Sequence, residues 1–163
     1  MVIRIAVLSD LSRMMEIYDE ARAFMRSVGN MNQWPVGYPS KDAILRDIKE
    51  GYMNVCVDNE IVIGVFYYRI GDDPTYEKIY DGAWLNNEPY GVIHRIAISD
   101  IARGKGISSK CFDFCLSLCP NLKIDTHIDN APMRKALLKN GFSYCGIIHL
   151  ANGDERIAFQ KHI

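Results

Sequence analysis

The stretch from Val92 to Lys110 constrains this chain more than any other part of it. An apolar run over 92–98 is typical of a buried strand, and a short turn with Gly104 and Gly106 follows before a segment with helical spacing. Glycines allow the backbone to approach a ligand closely, and the free N–H groups at the start of a helix attract anions. We therefore predict a cradle for phosphate groups between a strand and a helix.

The charge and spacing of this turn narrow the kind of ligand. Arg103, Lys105 and Lys110 add positive charge, which favours a cofactor that carries a pyrophosphate. A Walker loop would end in Gly-Lys-Ser/Thr, whereas here the lysine lies between the two glycines. A dinucleotide fingerprint would need a third glycine where the chain has Ser109. A mononucleotide-binding fold is therefore a poor fit.

A second pattern follows the cradle about twenty residues later. Residues 122–126 have the composition of a strand, and Asp129 or Asn130 is placed to cap the next helix. Pro132 suits the first turn of that helix, and Gly141 is placed to end it in the left-handed conformation. The two patterns together predict strand, phosphate turn, helix, strand and helix.

Both patterns resemble motifs of the GCN5-related N-acetyltransferase family. Its coenzyme A loop reads Arg/Gln-x-x-Gly-x-Gly/Ala after a strand, and residues 103–108 fit it with Ser108 in the last position. The family's next motif is a strand, an asparagine that opens a helix, and a closing Lys-x-Gly-Phe. The matching residues here are Asn130, Lys139, Gly141 and Phe142. The resemblance is strong over 92–142 and topological elsewhere.

This resemblance implies the fold and the activity. We expect one domain over residues 1–163, of α+β class, with a mixed and mostly antiparallel sheet of about seven strands flanked by about four helices. The order of elements expected from periodicity is β-α-α-β-β-β-α-β-α-β-β, which is also the order in the family. The implied activity is transfer of an acetyl group from acetyl-CoA to a primary amine by direct attack in a ternary complex.

The resemblance also implies which residues bind the cofactor. In the family, main-chain groups of the strand before the loop bind the pantetheine arm, and loop N–H groups bind the pyrophosphate. On the strand the matching positions are Ile96, Ala97 and Ile98, and Asn130 matches a cofactor-contacting position of the second motif. In the loop and the start of the helix they are Arg103, Gly104, Lys105, Gly106, Ile107, Ser108 and Ser109.

Three residues are candidates for acid–base catalysis. His94 lies on the cradle strand, and an imidazole suits proton transfer near neutral pH. Asp125 lies on the next strand, where several members of the family carry an acidic base, and His127 shares its face if that strand extends so far. A structural role for each remains the alternative. The family's usual tyrosine acid is replaced by Leu137, and Tyr144 is a weak substitute.

Aromatic residues are concentrated in two loops that would border the acceptor site in the family. Trp34 and Tyr38 lie in the first loop, and Tyr80 and Trp84 lie in the second, among several carboxylates. Aromatic rings and carboxylates together suit a cationic amine. The competing interpretation is that the two tryptophans only cover the core.

Composition and net charge argue against several other classes of protein function. With 163 residues, 48% hydrophobic and 24% charged, the chain is long enough for one soluble core, and its net charge of −1 argues against a nucleic-acid or membrane-surface binder. The start of the chain does not resemble a signal peptide, so we expect a cytoplasmic location.

The five cysteines of the chain are expected to be reduced, and Cys111, Cys115 and Cys119 share one helix face. That face also carries Ile107, Phe114 and Leu118. The stripe therefore indicates core packing, and no metal site is expected.

Two questions stay open at this stage. A non-catalytic acyl-CoA sensor would keep the cradle without a working base, so it is the alternative function. The acceptor is a small molecule, a peptide amino terminus or a protein lysine, and the sequence does not decide among them. Family members often pair through their C-terminal strands, so the resemblance leaves a homodimer open.

Overall fold

Every strand and helix expected from residue spacing forms in the computed structural model, which describes residues 1–163. The strands are β1 (Val2–Ile5), β2 (Met53–Asp58), β3 (Ile61–Ile70), β4 (Gly91–Ile98), β5 (Asn121–Thr126), β6 (Ser143–His149) and β7 (Glu155–His162). The helices are α1 (Leu11–Ser27), α2 (Lys41–Lys49), α3 (Ile107–Leu118) and α4 (Ala131–Lys139). The prediction of an α+β fold with about seven strands and about four helices is therefore confirmed.

Local signals explain where α4 begins and ends. The Oδ1 atom of Asn130 accepts a hydrogen bond from the main-chain N–H of Met133 at 3.2 Å, so Asn130 is the N-cap. Gly141 follows the helix with φ of +80°, a conformation that residues with a Cβ rarely adopt. Both outcomes match the sequence prediction.

All seven strands belong to one sheet, in the order β1-β2-β3-β4-β5-β7-β6. Only β4 and β5 run parallel, and they pair only through Gly91 with Leu122 and Val92 with Lys123. Beyond those pairs the two strands separate while each keeps its other neighbour. The sheet is therefore split at its centre, and the split positions the functional site.

A bulge in β4 lies beside this split. Between the pairs His94–Tyr67 and Ala97–Val65, β4 contains one more residue than β3. Arg95 takes the extra space with φ of +49°, which is unfavourable for a residue with a side chain. The hydroxyl of Tyr18 donates to the main-chain oxygen of Arg95 at 2.9 Å. Packing from α1 thus helps to hold the bulge.

Helices cover the sheet on both faces. The core on one face is packed by α3 and α4, and the core on the other face by α1 and α2. The thiols of Cys111 and Cys115 are fully buried in the first core, as the packing interpretation predicts. Leu118, however, is 53% exposed, because the buried face of α3 is rotated toward Phe112 and Leu116. None of the helices is long and apolar enough to span a membrane.

Gly91 provides a stability test of the point where β4 and β5 pair. A Cβ atom there would lie 2.7 Å from Cε2 of Tyr68 and 2.9 Å from Cδ2 of Leu122. Such overpacking costs about 1–3 kcal/mol, which exceeds the gain of about 0.4–1 kcal/mol from a less flexible unfolded chain. We therefore expect Gly91→Ala to lower the free energy of unfolding in urea by about 1–2 kcal/mol.

Gly64 of β3 supplies the matched control. The nearest atoms to a Cβ there lie at 3.1 Å and 3.3 Å, so Gly64→Ala should cost less than Gly91→Ala. Equal stability of Gly91→Ala and the wild type would contradict close packing at this pair.

Candidate active site

The split between β4 and β5 opens into a cavity of about 490 Å³. Residues 93–96 of β4 and 124–126 of β5 form its floor, and the start of α4, the α1–α2 loop and the β6–β7 turn form its walls. Because β5 pairs with only the first two residues of β4, the rest of that edge of β4 has no strand beside it. Its main-chain N–H and C=O groups are therefore available to an extended ligand, as at any open strand edge.

The glycine turn after β4 has the features of an anion site. Gly104 and Gly106 have φ of +78° and +74°, and no atom lies within 4 Å of a Cβ built at either position. No carbonyl of the protein accepts a hydrogen bond from the main-chain N–H groups of Gly106, which precedes α3, or of residues 107–109 in its first turn. Four free N–H groups at a helix start fit a pyrophosphate.

The charged side chains of the turn are held by protein contacts. The guanidinium of Arg103 pairs with Asp100 and lies 3.6 Å from the centre of the Phe24 ring. The Nζ atom of Lys105 donates to the main-chain oxygen of Ile101 at 2.8 Å. The charge of Arg103 is therefore balanced by Asp100, Lys105 adds positive charge beside the turn, and the main chain supplies the free donors.

His94 is oriented by a buried carboxylate. Its Nε2 atom lies 2.6 Å from Oδ2 of Asp73, and the other oxygen of Asp73 accepts from the N–H and the hydroxyl of Thr75 at 2.9 Å and 2.7 Å. Burial raises the pKa of Asp73, but the hydrogen bonds from His94 and Thr75 outweigh it, so the pKa falls below its usual range. Asp73 is therefore an anion, and Nε2 of His94 carries the proton between them.

The second ring nitrogen of His94 is directed toward Asp125. Its Nδ1 atom lies 3.8 Å from Oδ1 of Asp125, which also accepts a hydrogen bond from the hydroxyl of Tyr76 at 2.6 Å. Burial and the charge of Asp125 raise the pKa of Tyr76, so this phenol stays protonated and donates. Both His94 and Asp125 line the cavity. At 3.8 Å these two atoms do not hydrogen-bond to each other directly, so both are able to accept from a donor that binds on the cavity side.

His127, the third candidate catalyst, lies outside this arrangement. Strand β5 ends at Thr126, so His127 belongs to the following turn rather than to the face that carries Asp125. Its Nδ1 atom accepts a hydrogen bond from the N–H of Asp129 at 3.0 Å, and it does not line the cavity. Tyr144 also lies elsewhere, 52% exposed and against Phe159.

The cavity contains half of the aromatic residues expected near an acceptor. Trp34 and Tyr38 line it, with their rings 6.0 Å apart. Tyr80 and Trp84 do not line it. Tyr80 stacks on His149 at 4.7 Å, and the cation over the Trp84 ring is Nζ of Lys123, at 4.3 Å. Tyr80 and Trp84 therefore pack against other residues of the protein and do not face the cavity.

Sequence reasoning did not assign roles to three residues that shape the site. Asp73 and Tyr76 stood out only as members of an acidic, aromatic loop, and nothing in the pattern linked them to His94 and Asp125. No motif or spacing in the sequence pointed to Arg156 of β7, although it is buried and lines the cavity. Asn130 lines the cavity as well, and its Nδ2 atom donates to Oε1 of Gln33 at 2.8 Å.

Comparisons with known proteins agree with this geometry. The sequence matches the model of the Acetyltransferase (GNAT) family over residues 12–142. A GNAT-family acetyltransferase from Streptococcus agalactiae 2603 has 33% sequence identity and a TM-score of 0.90, covering 99% of this chain and 95% of that one. The sequence has no significant match among curated proteins.

More distant structures share the fold alone. A ribosomal-protein-alanine N-acetyltransferase from Brucella melitensis is 17% identical with a TM-score of 0.68, and the match covers 100% of both chains. The NatC complex bound to Gag peptide and CoA is 15% identical with a TM-score of 0.63, covering 99% of this chain and 98% of that one.

The chain belongs to the GNAT family of acetyltransferases. It is therefore an acetyltransferase, and enzymes of this family use acetyl-CoA. No cluster of three or more His, Cys, Asp or Glu side chains is arranged to hold a metal ion.

Proposed function

We propose that this protein acetylates a primary amine by direct attack of the amine on acetyl-CoA within a ternary complex. The observation that carries the proposal is the position of His94. Its Nε2 atom is held by Asp73 at 2.6 Å, and its Nδ1 atom faces Asp125 across 3.8 Å in the cavity beside the open edge of β4. The cavity would therefore bring acetyl-CoA and the amine together beside a base, a carboxylate and an open strand edge.

The cofactor would lie along the split in the sheet. The free N–H groups of residues 106–109 would bind the pyrophosphate, and the open edge of β4 at residues 96–98 would bind the amides of the pantetheine arm. In this arrangement the thioester would lie near the bulge at Arg95, beside His94. An N–H of the same edge would then stabilise the oxyanion of the tetrahedral intermediate.

The acceptor would bind as an ammonium and react as an amine. Asp125 attracts the ammonium, and Nδ1 of His94 accepts its proton, since Nε2 is already protonated toward Asp73. The amine nitrogen then attacks the thioester carbon, so that a C–N bond forms, the C–S bond breaks, and the cationic nitrogen releases its second proton to solvent to give the neutral amide. CoA leaves as a thiolate, and Asp73 stabilises the imidazolium that has formed.

The leaving group needs no acid from the usual family position. Leu137 occupies that position and is fully buried in the core. Tyr144 does not line the cavity and supplies no substitute. A thiol with a pKa of about 8.5 leaves readily as a thiolate, so the missing tyrosine is compatible with turnover.

Tyr38 and Tyr80 give a matched test of the acceptor site. They are 40% and 44% exposed, but only Tyr38 lines the cavity. We expect Tyr38→Ala to raise the Michaelis constant for the amine about 5-fold or more, because a ring against a cation contributes about 0.5–2 kcal/mol. Tyr80→Ala should change it less than about 2-fold. Equal effects of the two substitutions would move the acceptor site elsewhere.

The proposal is tested by incubating the protein with acetyl-CoA and a mixed panel of amines. Free CoA and acetylated products are measured by chromatography and mass spectrometry, because these methods also identify which amine has been acetylated. Acetylated amine and intersecting double-reciprocal plots support direct transfer. Parallel plots would indicate a covalent acetyl-enzyme, and bound acetyl-CoA without any product would favour the sensor.

A further inference from the structure

Arg156 brings an unbalanced positive charge to the cavity wall. It is only 7% exposed and lines the cavity, yet no carboxylate lies within ion-pair distance of its guanidinium. Burying a charge without a counter-ion is costly. Arg95, the other arginine that lines the cavity, is paired with Asp47. Arg156 is therefore the cavity-lining arginine without an anionic partner.

The guanidinium of Arg156 retains donors for a ligand. Its NH1 atom donates to the main-chain oxygen of Glu155 at 2.8 Å, and its NH2 atom donates to the main-chain oxygen of Gln33 at 3.1 Å. An arginine has five N–H donors, so three remain without an acceptor in the protein. A planar, always charged guanidinium with free donors matches the two oxygens of a carboxylate.

The position of Arg156 relates it to the acid–base pair. Ala158 of β7 lies directly opposite Asp125 of β5, so their side chains are on the same face of the sheet. Arg156 is two residues before Ala158 on that same face, about 7 Å farther along the strand. The cavity wall therefore presents a carboxylate for an ammonium and, a short distance away, a guanidinium for an anion.

A second group in the cavity also lacks a partner. The hydroxyl of Thr126, which is 1% exposed, has no hydrogen-bond partner in the structure and lines the same cavity. Thr126 is the neighbour of Asp125 on β5. Because consecutive residues of a strand point to opposite faces, this hydroxyl lies on the other face from Asp125, and the three free donors of Arg156 are the feature that points to a ligand beside the acid–base pair.

We propose that the acceptor is a small amine that also carries a carboxylate, and that Arg156 binds this carboxylate while Asp125 and His94 bind the amine. The proposal rests on the function proposed above and names its substrate class. An amino acid with a short separation between its amine and its acid fits this spacing. The amino terminus of a long peptide does not, because its nearest carboxylate is not fixed at this distance.

Sets of matched acceptors test the proposal. Each set contains an amino acid, its carboxamide, the corresponding decarboxylated amine and the aminophosphonate analogue. We expect wild-type kcat/KM to be at least about 10-fold higher for the amino acid than for the carboxamide and the decarboxylated amine, because hydrogen bonds to a charged group are strong. The phosphonate is also an anion, so it should be acetylated, but no faster than the amino acid. Arg156→Gln should lower kcat/KM for the amino acid about 10- to 100-fold and change the value for the carboxamide less than about 3-fold.

Three controls separate recognition from folding. Arg156→Lys retains the charge without the planar fork and should keep part of the preference. Arg46→Gln removes an arginine of α2 that is 67% exposed and lies outside the cavity. Its contact with Asp47 is long, at 4.0 Å, so kcat/KM should change less than about 2-fold. Because Arg156 also holds the main chain at Gln33, each variant is checked by thermal unfolding and by CoA binding.

The outcomes are distinct. Equal wild-type rates for the amino acid and the decarboxylated amine, or a higher rate for the phosphonate, would overturn the carboxylate assignment and leave the amine acetyltransferase intact. An equal loss for all acceptors in Arg156→Gln would make Arg156 a structural residue. Acetylation of no amine at all by protein that binds acetyl-CoA would reject the proposed function itself, and this inference with it.

Discussion

Replacing His94 with glutamine should lower kcat about 10²- to 10⁴-fold while leaving the affinity for acetyl-CoA unchanged. Glutamine is uncharged and still able to donate to Asp73, but it does not accept a proton near neutral pH. The acceptor would then remain an ammonium beside Asp125, and an ammonium has no lone pair for attack on the thioester. Steady-state kinetics measure the loss, and calorimetric titration measures cofactor binding.

His127→Gln is the matched control for this experiment. Both histidines were candidates for catalysis, but only His94 lines the cavity, so we expect His127→Gln to retain more than about a third of wild-type kcat. A similar loss in both variants would show that proton transfer does not depend on His94 alone. Full activity of His94→Gln would remove the base from the proposed mechanism.

Replacing Gly106 with valine should weaken acetyl-CoA binding about 10- to 100-fold. Gly106 has φ of +74°, a conformation that costs an ordinary residue about 1–2 kcal/mol and a β-branched residue more. The new side chain would also stand in the open space next to the free N–H groups of residues 106–109. The dissociation constant for acetyl-CoA, measured by calorimetry, reports both effects.

Gly51→Val separates backbone strain from cofactor binding. Gly51 has φ of +79° and an equally open surrounding, but it follows α2, away from the glycine turn. Both variants should therefore lose similar stability, and only Gly106→Val should lose affinity. Wild-type affinity in a folded Gly106→Val protein would place the pyrophosphate somewhere other than this turn.

Local patterns were sufficient for the elements that depend on local chemistry. Alternation and helical spacing give all seven strands and four helices, and the cap at Asn130 and the stop at Gly141 depend on neighbours within a few residues. The bulge in β4 was not predictable, because nothing in the sequence around Arg95 favours a positive φ there. That conformation depends on packing from distant residues such as Tyr18.

The candidate site likewise contains residues that the sequence identified and residues that it did not. His94 and Asp125 were identified because each lies on a strand of a recognisable motif, and the structure brings both to one cavity. Their partners Asp73 and Tyr76 come from a loop whose path is decided by tertiary packing, so spacing alone did not single them out. The same limit applies to Arg156, because alternation along a strand predicts which sheet face a side chain is on but not which residues lie opposite it.

A crystal structure of the protein with CoA tests the central claim most directly. The account predicts pyrophosphate oxygens within hydrogen-bond distance of the N–H groups of residues 106–109, and a pantetheine arm in the split against residues 96–98, with its sulfur directed toward His94. CoA bound outside the split, or a sulfur directed away from His94, would contradict the account.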